Sequence, residues 1–525
     1  MVPMLRRFAL ACTLATCATP AAAQTAAPAQ APRLLVFITV DQLRPDYFTR
    51  WPGQLTGGLA RLWNGGAAFT DAHHDHAVTE TAPGHASVMS GRFPRGTGIV
   101  SNEFGVGDPR SPLLGSRAAG ASPSRFRGTV LADWMRAKDP RTRVLSVARK
   151  DRGAILPVGR GRHTVLWYAP NGTFTTSTWY ASTLPPWVRR FNARRLPHSY
   201  AGVRWAPLLP AQAYPEPDSV PAEAGGVGFT FPHDVPRDPS RAAADLGMFP
   251  FMDVLTLGLA MEGLRSMELG RGPATDVLAI SLSTTDAIGH HYGPDSRELH
   301  DQVVRLDRAL GAFLDSLYAV RDPATVLVAL TADHGVTPYP EVADPANARA
   351  MHVSDGRLRA WMRATAREWG VDSTAIDPEV GSLRLDPAAF ARAGRDPRVF
   401  AREYVEFART VRGVLRADLF PDVAADSARD PIARRWNHMF PRDLPYYAVV
   451  TVRPGHVWGR GSYAQHGSPH DIDSRVPIIF YGAPFRPGRY DTFVRTVDIA
   501  PTLARVLGVR PTEPLDGRVL TQALR

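Results

Sequence analysis

Four short apolar runs, each adjoined by an acid or a histidine, limit this chain to an open α/β sheet. LLVFITVD ends at Asp41, DVLAISLSTTD at Asp286 and TVLVALTADH at His334, and VPIIFYG begins shortly after His466. Runs this short, apolar and rich in Val and Ile read as strands buried on both faces. Ligands bind outside the carboxyl ends of the strands in such sheets, so residues as distant as Asp41 and His466 converge on one rim. Asp41, Asp286, His290, Asp333, His334 and His466 bring oxygen and imidazole donors there, a set that suits zinc, which takes Asp and His and needs no cysteine.

Cysteine usage agrees with that choice. Cys12 and Cys17 are the two cysteines, and both fall in Met1–Gln24, where Arg6 and Arg7 precede an apolar stretch from Phe8 to about Ala18 and Ala21-Ala22-Ala23 closes it. Residues 1–23 read as a secretory signal peptide, too short and wrongly flanked for a membrane span. The remainder, 24–525, is then a cysteine-free periplasmic or secreted protein with no disulfide. Leu14-Ala15-Thr16-Cys17 loosely resembles a bacterial lipobox, so a lipid anchor at Cys17 is the alternative. Past the signal, no segment holds the roughly 18 unbroken apolar residues of a transmembrane helix.

At 525 residues and 44% apolar content, the chain can bury one large core with insertions or form two to three domains. Its formal charge is +11, and removing Arg6 and Arg7 lowers it to +9. The basic residues are dispersed among acids and prolines, which argues for a solvated surface that mildly attracts anions and against a nucleic acid partner. Of 61 basic residues only Lys138 and Lys150 are lysines, which singles out Lys150.

One α/β core, interrupted twice, accounts for the rest of the pattern. Core segments span about 33–155, 250–338 and 445–525, with helical stretches at 297–318 and 497–507. An insertion at about 156–249 is rich in Pro, Gly, Trp and Tyr; a second, at about 339–444, carries amphipathic stretches near 356–369 and 397–414. Insertions of this kind form caps over a sheet rim.

Thr79-Glu80-Thr81-Ala82-Pro83-Gly84-His85 reads as a loop entering a helix, with Pro83 in the first turn, where its missing N–H costs nothing. A threonine there sits at a helix N-terminus, which favours anions. Taken alone, Thr81 is an ordinary N-cap; beside zinc, which lowers the pKa of an oxygen it touches, it becomes a nucleophile. Asp286 and His290, four apart, share a face of a helical turn. Asp333 and His334 must lie on a bend, since a continuing strand would point them apart, and Gly335 permits the turn. His73, His74, His76, His85 and His291 read as packing or supporting residues.

Thr81-Ala-Pro-Gly-His, Asn102 in Gly98-Ile-Val-Ser-Asn-Glu-Phe, Asp286-Ala-Ile-Gly-His290, Thr331-Ala-Asp-His-Gly335 and His466-Gly-Ser-Pro together resemble the alkaline phosphatase superfamily, in its order and across the whole core. Lys150-Asp151-Arg152-Gly153-Ala154-Ile155 is similar to its phosphate-irrepressible bacterial members. The resemblance implies a three-layer sandwich around a central, mostly parallel sheet with inserted caps. It further implies two zinc ions, one held by Asp41, Asp333 and His334 beside the nucleophile Thr81, the other by Asp286, His290 and His466.

Two such ions about 4 Å apart suit in-line displacement at phosphorus. The expected reaction is hydrolysis of small phosphate monoesters through a phosphothreonine. The dianionic phosphoryl group needs donors placed in advance, and Asn102, Lys150 and Arg152 are the candidates. Nucleotide pyrophosphatases and phosphodiesterases of the same superfamily are the alternative; they generally lack the Lys-x-Arg pair and offer an apolar pocket to the second ester group. Sulfatases need an oxidised Cys or Ser where this chain has Thr81. A non-catalytic zinc or phosphate-ester binding protein would lack some catalytic member, and here none is missing.

Overall fold

The computed structural model describes residues 31–379, 381–459 and 464–525. The expected signal peptide, with Cys12 and Cys17, lies outside them.

The central sheet uses β1 (Leu34–Val40), β2 (Ala67–His73), β3 (Val144–Ala148), β4 (Thr164–Ala169), β5 (Thr173–Thr175), β6 (Asp276–Leu282) and β7 (Val326–Thr331). A smaller sheet follows, made of β8 (Ile376–Glu379), β9 (Ser382–Leu385), β10 (Val414–Leu419) and β11 (Tyr446–Val452). The chain then returns to the first sheet with β12 (Arg475–Tyr481), β13 (Gly488–Tyr490) and β14 (Val494–Arg495). The strand order is β13-β2-β12-β7-β1-β6-β3-β4-β5, with β14 also on β2. β1, β3, β4, β6 and β7 run parallel. β12 is antiparallel to both its neighbours. That reversal puts the start of β12, with His466 upstream, on the rim where β1, β6 and β7 end.

Every residue of β1 is buried, and its alternation builds two cores. Leu34, Val36, Ile38 and Val40 pack on one face with Leu259, Leu264 and Leu310. Leu35 and Phe37 pack on the other with Met89, Leu156 and Leu503. Each fully buried Leu or Ile contributes about 1.5–3 kcal/mol. The helices that matter are α1 (Thr81–Val88), α2 (Asp151–Ile155), α3 (Phe251–Ser266), α4 (Thr284–Tyr292), α5 (Arg297–Tyr318), α6 (Asp355–Glu368), α7 (Pro397–Arg409), α8 (Pro431–Asn437) and α9 (Ile499–Leu507). With α3 and α5 on the first face and α1 and α9 on the second, the architecture is the three-layer α/β sandwich that the resemblance implied.

The insertions differ from their expected limits. β4 and β5 lie within 156–249 yet extend the central sheet, so the chain leaves the sheet only after Thr175; β4 pairs with β3 and β5, and the short β5 is the edge. β11 lies beyond 444 yet belongs to the antiparallel second sheet, order β8-β9-β11-β10. That lobe has its own core of Phe390, Phe400, Tyr404 and Val450. In α7, Pro397 opens the first turn and the Asp396 side chain accepts the Arg398 N–H, while Phe400, Ala401, Tyr404, Val405 and Ala408 recur on one buried stripe.

Candidate active site

Asp41 follows β1 directly, and its backbone N–H donates to the Leu282 carbonyl at 2.9 Å, extending the β1–β6 ladder by one residue. The chain then turns sharply. Gln42 is buried and takes a left-handed conformation, φ 65°, which is strained for a residue with a Cβ. The turn carries the Gln42 backbone N–H to Asp333 Oδ1 (3.1 Å) and Nε2 to Asp286 Oδ1 (2.9 Å). A Cβ at Gly289 would overlap the Gln42 carboxamide oxygen, so the glycine between Asp286 and His290 makes room for this bridge. Likewise, a Cβ at Gly84 would overlap the Asp333 carbonyl oxygen, and its absence lets α1 sit against the rim.

Thr81 is the first residue of α1, and Pro83 lies in the same turn. Thr81 Oγ1 is 3.4 Å from His334 Nε2. His334 Nε2 is also 3.4 Å from Asp333 Oδ2 and 3.9 Å from Asp286 Oδ1. Asp333 and His334 occupy a bend after β7, as their adjacency required. The reason for Gly335 is different from the expected freedom in φ: its backbone is not left-handed, but a Cβ would overlap the Ile472 carbonyl oxygen.

Asp286 and His290 both lie on α4, and their facing atoms are 3.2 Å apart. His466 Nε2 is 3.7 Å from Asp286 Oδ1 and 3.1 Å from His290 Nε2, and its ring stacks on His334 with centroids 3.6 Å apart. Each of these imidazoles donates from Nδ1 to a backbone carbonyl: His290 to Ala464 (2.6 Å), His466 to Thr79 (2.8 Å) and His334 to Gly335 (2.9 Å). A carbonyl can only accept, so three Nε2 atoms are left facing one another and the carboxylates. Two imidazole nitrogens 3.1 Å apart must share a proton or a metal ion.

The electrostatics point the same way. Burial drives His334 down to about 3 and, with His334 and His290 adding to it, holds His466 well below the usual histidine range. Burial also opposes charge on His290, but Asp286 beside it prevails and raises its pKa. For Asp286, burial is outweighed by the Lys150 ammonium, which keeps the carboxyl well below its ordinary range. Lys150 Nζ lies 2.6 Å from Asp286 Oδ2 and 2.9 Å from Asp41 Oδ2. One ammonium therefore serves two carboxylates, while buried Asp333 Oδ2 has no hydrogen-bond partner. Three carboxylates and three inward nitrogens on one rim fit a divalent metal site. Asp286, His290 and His466 are close enough to share one ion.

The other grouping has two readings. Asp41, His85 and Asp333 also place ligand atoms within reach of one ion. Both His85 nitrogens are engaged, however: Nδ1 with the Thr81 carbonyl (2.9 Å) and Nε2 with Ser281 Oγ (3.1 Å). His334 Nε2, which faces Thr81, is the better third donor, and His85 braces Asp41 and Asp333 from behind at 3.6 and 3.4 Å.

Asn102 Oδ1 accepts the Ala82 N–H at 2.9 Å, leaving its NH2 to a ligand. Arg152, on α2, keeps a 28% exposed side chain 3.6 Å from Asp151. The rim thus gathers the sequence-derived residues. Gln42, Glu80 and Ser281 escaped that reading; the available signal was that each adjoins a chemically marked position, Asp41, Thr81 and the β6 terminus.

Comparisons with known proteins agree with this geometry. A family model described as type I phosphodiesterase / nucleotide pyrophosphatase matches residues 35–438. Alkaline phosphatase PhoK of Sphingomonas sp is 32% identical, over 98% of this chain and 98% of that protein. Alkaline phosphatase PhoV of Synechococcus elongatus is 30% identical over 94% and 93%. The crystal structure of wild-type alkaline phosphatase PafA superposes with a TM-score of 0.86 at 26% identity, covering 95% of this chain and 100% of that one.

Proposed function

The chain belongs to the type I phosphodiesterase / nucleotide pyrophosphatase family, among its PafA-like alkaline phosphatases; from that premise we propose a zinc-dependent phosphomonoesterase that works through a phosphothreonine at Thr81. The observation that carries this reading is the convergence of three outward-anchored imidazoles and three carboxylates around a hydroxyl at a helix N-terminus. Asp41, Asp333 and His334 would hold one zinc next to Thr81, and Asp286, His290 and His466 the other. When bound, the ions supply Lewis acidity at the attacking and leaving oxygens.

The protein's own groups do the placing. Thr81 Oγ1 loses its proton and forms the bond to phosphorus as the bond to the alcohol oxygen breaks and that oxygen takes up a proton; water then cleaves the threonine ester, releasing inorganic phosphate and restoring the hydroxyl. The amide dipoles of α1 favour negative charge at that point. Asn102 NH2, Lys150 and Arg152 receive the nonbridging oxygens; with Asp41 and Asp286 neutralised by metal, the Lys150 ammonium between them is free for the phosphoryl group. Substrates are small phosphate monoesters. The arginine-flanked apolar leader of residues 1–23 supports export to the periplasm or beyond. Among the described residues no single helix is long and apolar enough to cross a membrane.

The test is substrate discrimination in Lys150→Ala/Arg152→Ala. A diester carries one less negative charge and has one oxygen blocked. The variant should therefore lose on the order of 10³-fold in kcat/KM for a monoester, with a much smaller loss for a diester. Equal losses would move the phosphodiesterase reading ahead.

A further inference from the structure

Glu80 precedes the nucleophile and is the N-cap of α1, yet its side chain does not cap its own helix. Instead Oε2 accepts the Asn102 backbone N–H at 2.7 Å, while the Asn102 side chain caps the helix through the Ala82 N–H at 2.9 Å. On its loop, Asn102 is thus held at its backbone by the Glu80 carboxylate and at its carboxamide by the Ala82 N–H, two bonds to the start of α1 that fix both the Asn102 backbone and the carboxamide plane.

The loop has a second tether, to the other lobe. Ser101 Oγ donates to Glu379 Oε1 at 3.3 Å and accepts the Phe104 N–H at 3.2 Å, and Tyr446 OH donates to Glu379 Oε2 at 3.4 Å. The Arg384 guanidinium lies over the Phe104 ring, 4.6 Å from its centroid. Glu379, Arg384 and Tyr446 belong to β8, β9 and β11. A short irregular loop that must present one NH2 group to within tenths of an ångström is thus held at successive residues by two carboxylates.

We propose that Glu80 is a positioning residue for Asn102, fixing its carboxamide toward the transferred phosphoryl group, and that Glu379 supports the same loop from the second lobe through Ser101. The claim rests on the reading of Asn102 as a phosphoryl-binding group. Glu80 touches no reacting atom. A glutamine at position 80 keeps an oxygen to accept the Asn102 N–H, whereas alanine removes it.

The test is a double-mutant cycle on zinc-loaded enzyme with a phosphate monoester, with inhibition by inorganic phosphate as a binding readout. Asn102→Ala should lose roughly 10- to 100-fold in kcat/KM. Glu80→Ala should lose about tenfold, Glu80→Gln at most about twofold, and Asn102→Ala/Glu80→Ala should be no worse than Asn102→Ala alone. If Glu80→Ala does not fold, Ser101→Ala serves in its place: it unhooks the loop from Glu379 while leaving the Glu80 carboxylate in place, and should lose about two- to fivefold only where Asn102 is present. A full additional loss in the Asn102→Ala background, or wild-type activity in Glu80→Ala and Ser101→Ala with Asn102→Ala impaired, overturns the positioning role alone. Wild-type activity in Asn102→Ala overturns that role and the Asn102 reading beneath it.

Discussion

Replacing Lys150 by alanine should move metal affinity and catalysis in opposite directions. Without metal, the Lys150 ammonium spans Asp41 and Asp286 at 2.9 and 2.6 Å. An ion taking those oxygens must first displace it. Breaking a buried ion pair costs about 3–5 kcal/mol, and Lys150 retains part of its stabilisation by turning to substrate or water. A competition of about 3 kcal/mol corresponds to roughly a hundredfold in affinity. Zinc should therefore bind Lys150→Ala about a hundred times more tightly, taken over the two ions that claim Asp41 and Asp286, and should stabilise the variant more than the wild type. Turnover at saturating zinc should fall roughly 10- to 150-fold in kcat/KM, the worth of one charge-assisted contact of about 1.5–3 kcal/mol. The assay is zinc titration of chelator-stripped protein against a competing indicator, with monoester turnover measured on the same samples. Unchanged or weaker zinc affinity in Lys150→Ala would mean that Asp41 and Asp286 are not the metal's oxygens.

The two neighbouring threonines should separate by phenotype. Thr81→Ala should bind zinc normally and lose nearly all turnover, with Thr81→Ser retaining far more. Thr79 is buried, donates from Oγ1 to the Ser468 carbonyl (2.9 Å) and accepts the Gly467 N–H (3.1 Å), so Thr79→Ala should loosen the His466 loop and weaken zinc binding by about 1–3 kcal/mol, with turnover largely restored by excess zinc. A pH effect is expected at Asp253, where burial drives the carboxyl up to about 6 against the hydrogen bonds from Thr284 and Gln302. The folded protein then holds that proton above the unfolded value of about 3.9. The contribution of this group to stability accordingly falls as pH rises from about 4 to about 6, by about 3 kcal/mol in all. Asp253→Asn should remove that slope in urea unfolding at pH 4.5 and 7.5, since Gln302, whose Oε1 has no partner, can rotate its carboxamide to accept from the new NH2.

Much of the fold was legible because β1, β6 and β7 are buried on both faces, so their sequences are unbroken apolar runs, and because α5 and α7 carry a clear apolar stripe. The second sheet was not. Its strands read Ile-Asp-Pro-Glu, Ser-Leu-Arg-Leu and Val-Leu-Arg-Ala-Asp-Leu, short and charged because one face is solvated, and the β9–β11 and β10–β11 pairings join distant segments and leave no local mark. β5 was hidden for a related reason: it is the edge of the central sheet, and its three residues, Thr-Phe-Thr, resemble loop composition. In the site, the residues that define the chemistry stood out by type and spacing. Those that aim them did not, since the left-handed turn at Gln42 and the cross-loop bond of Glu80 depend on tertiary approach. Even Gly335 was identified for the wrong reason, with a crowding Ile472 carbonyl taking the place of backbone freedom.

The most direct measurement is to quench zinc-loaded enzyme with acid during turnover of a phosphate monoester and map the phosphoryl group by peptide mass spectrometry. Phosphorylation is expected on Thr81, lost in Thr81→Ala and absent when metal has been stripped. A phosphoryl group on any other residue in the wild type, or rapid monoester turnover by Thr81→Ala, would contradict it.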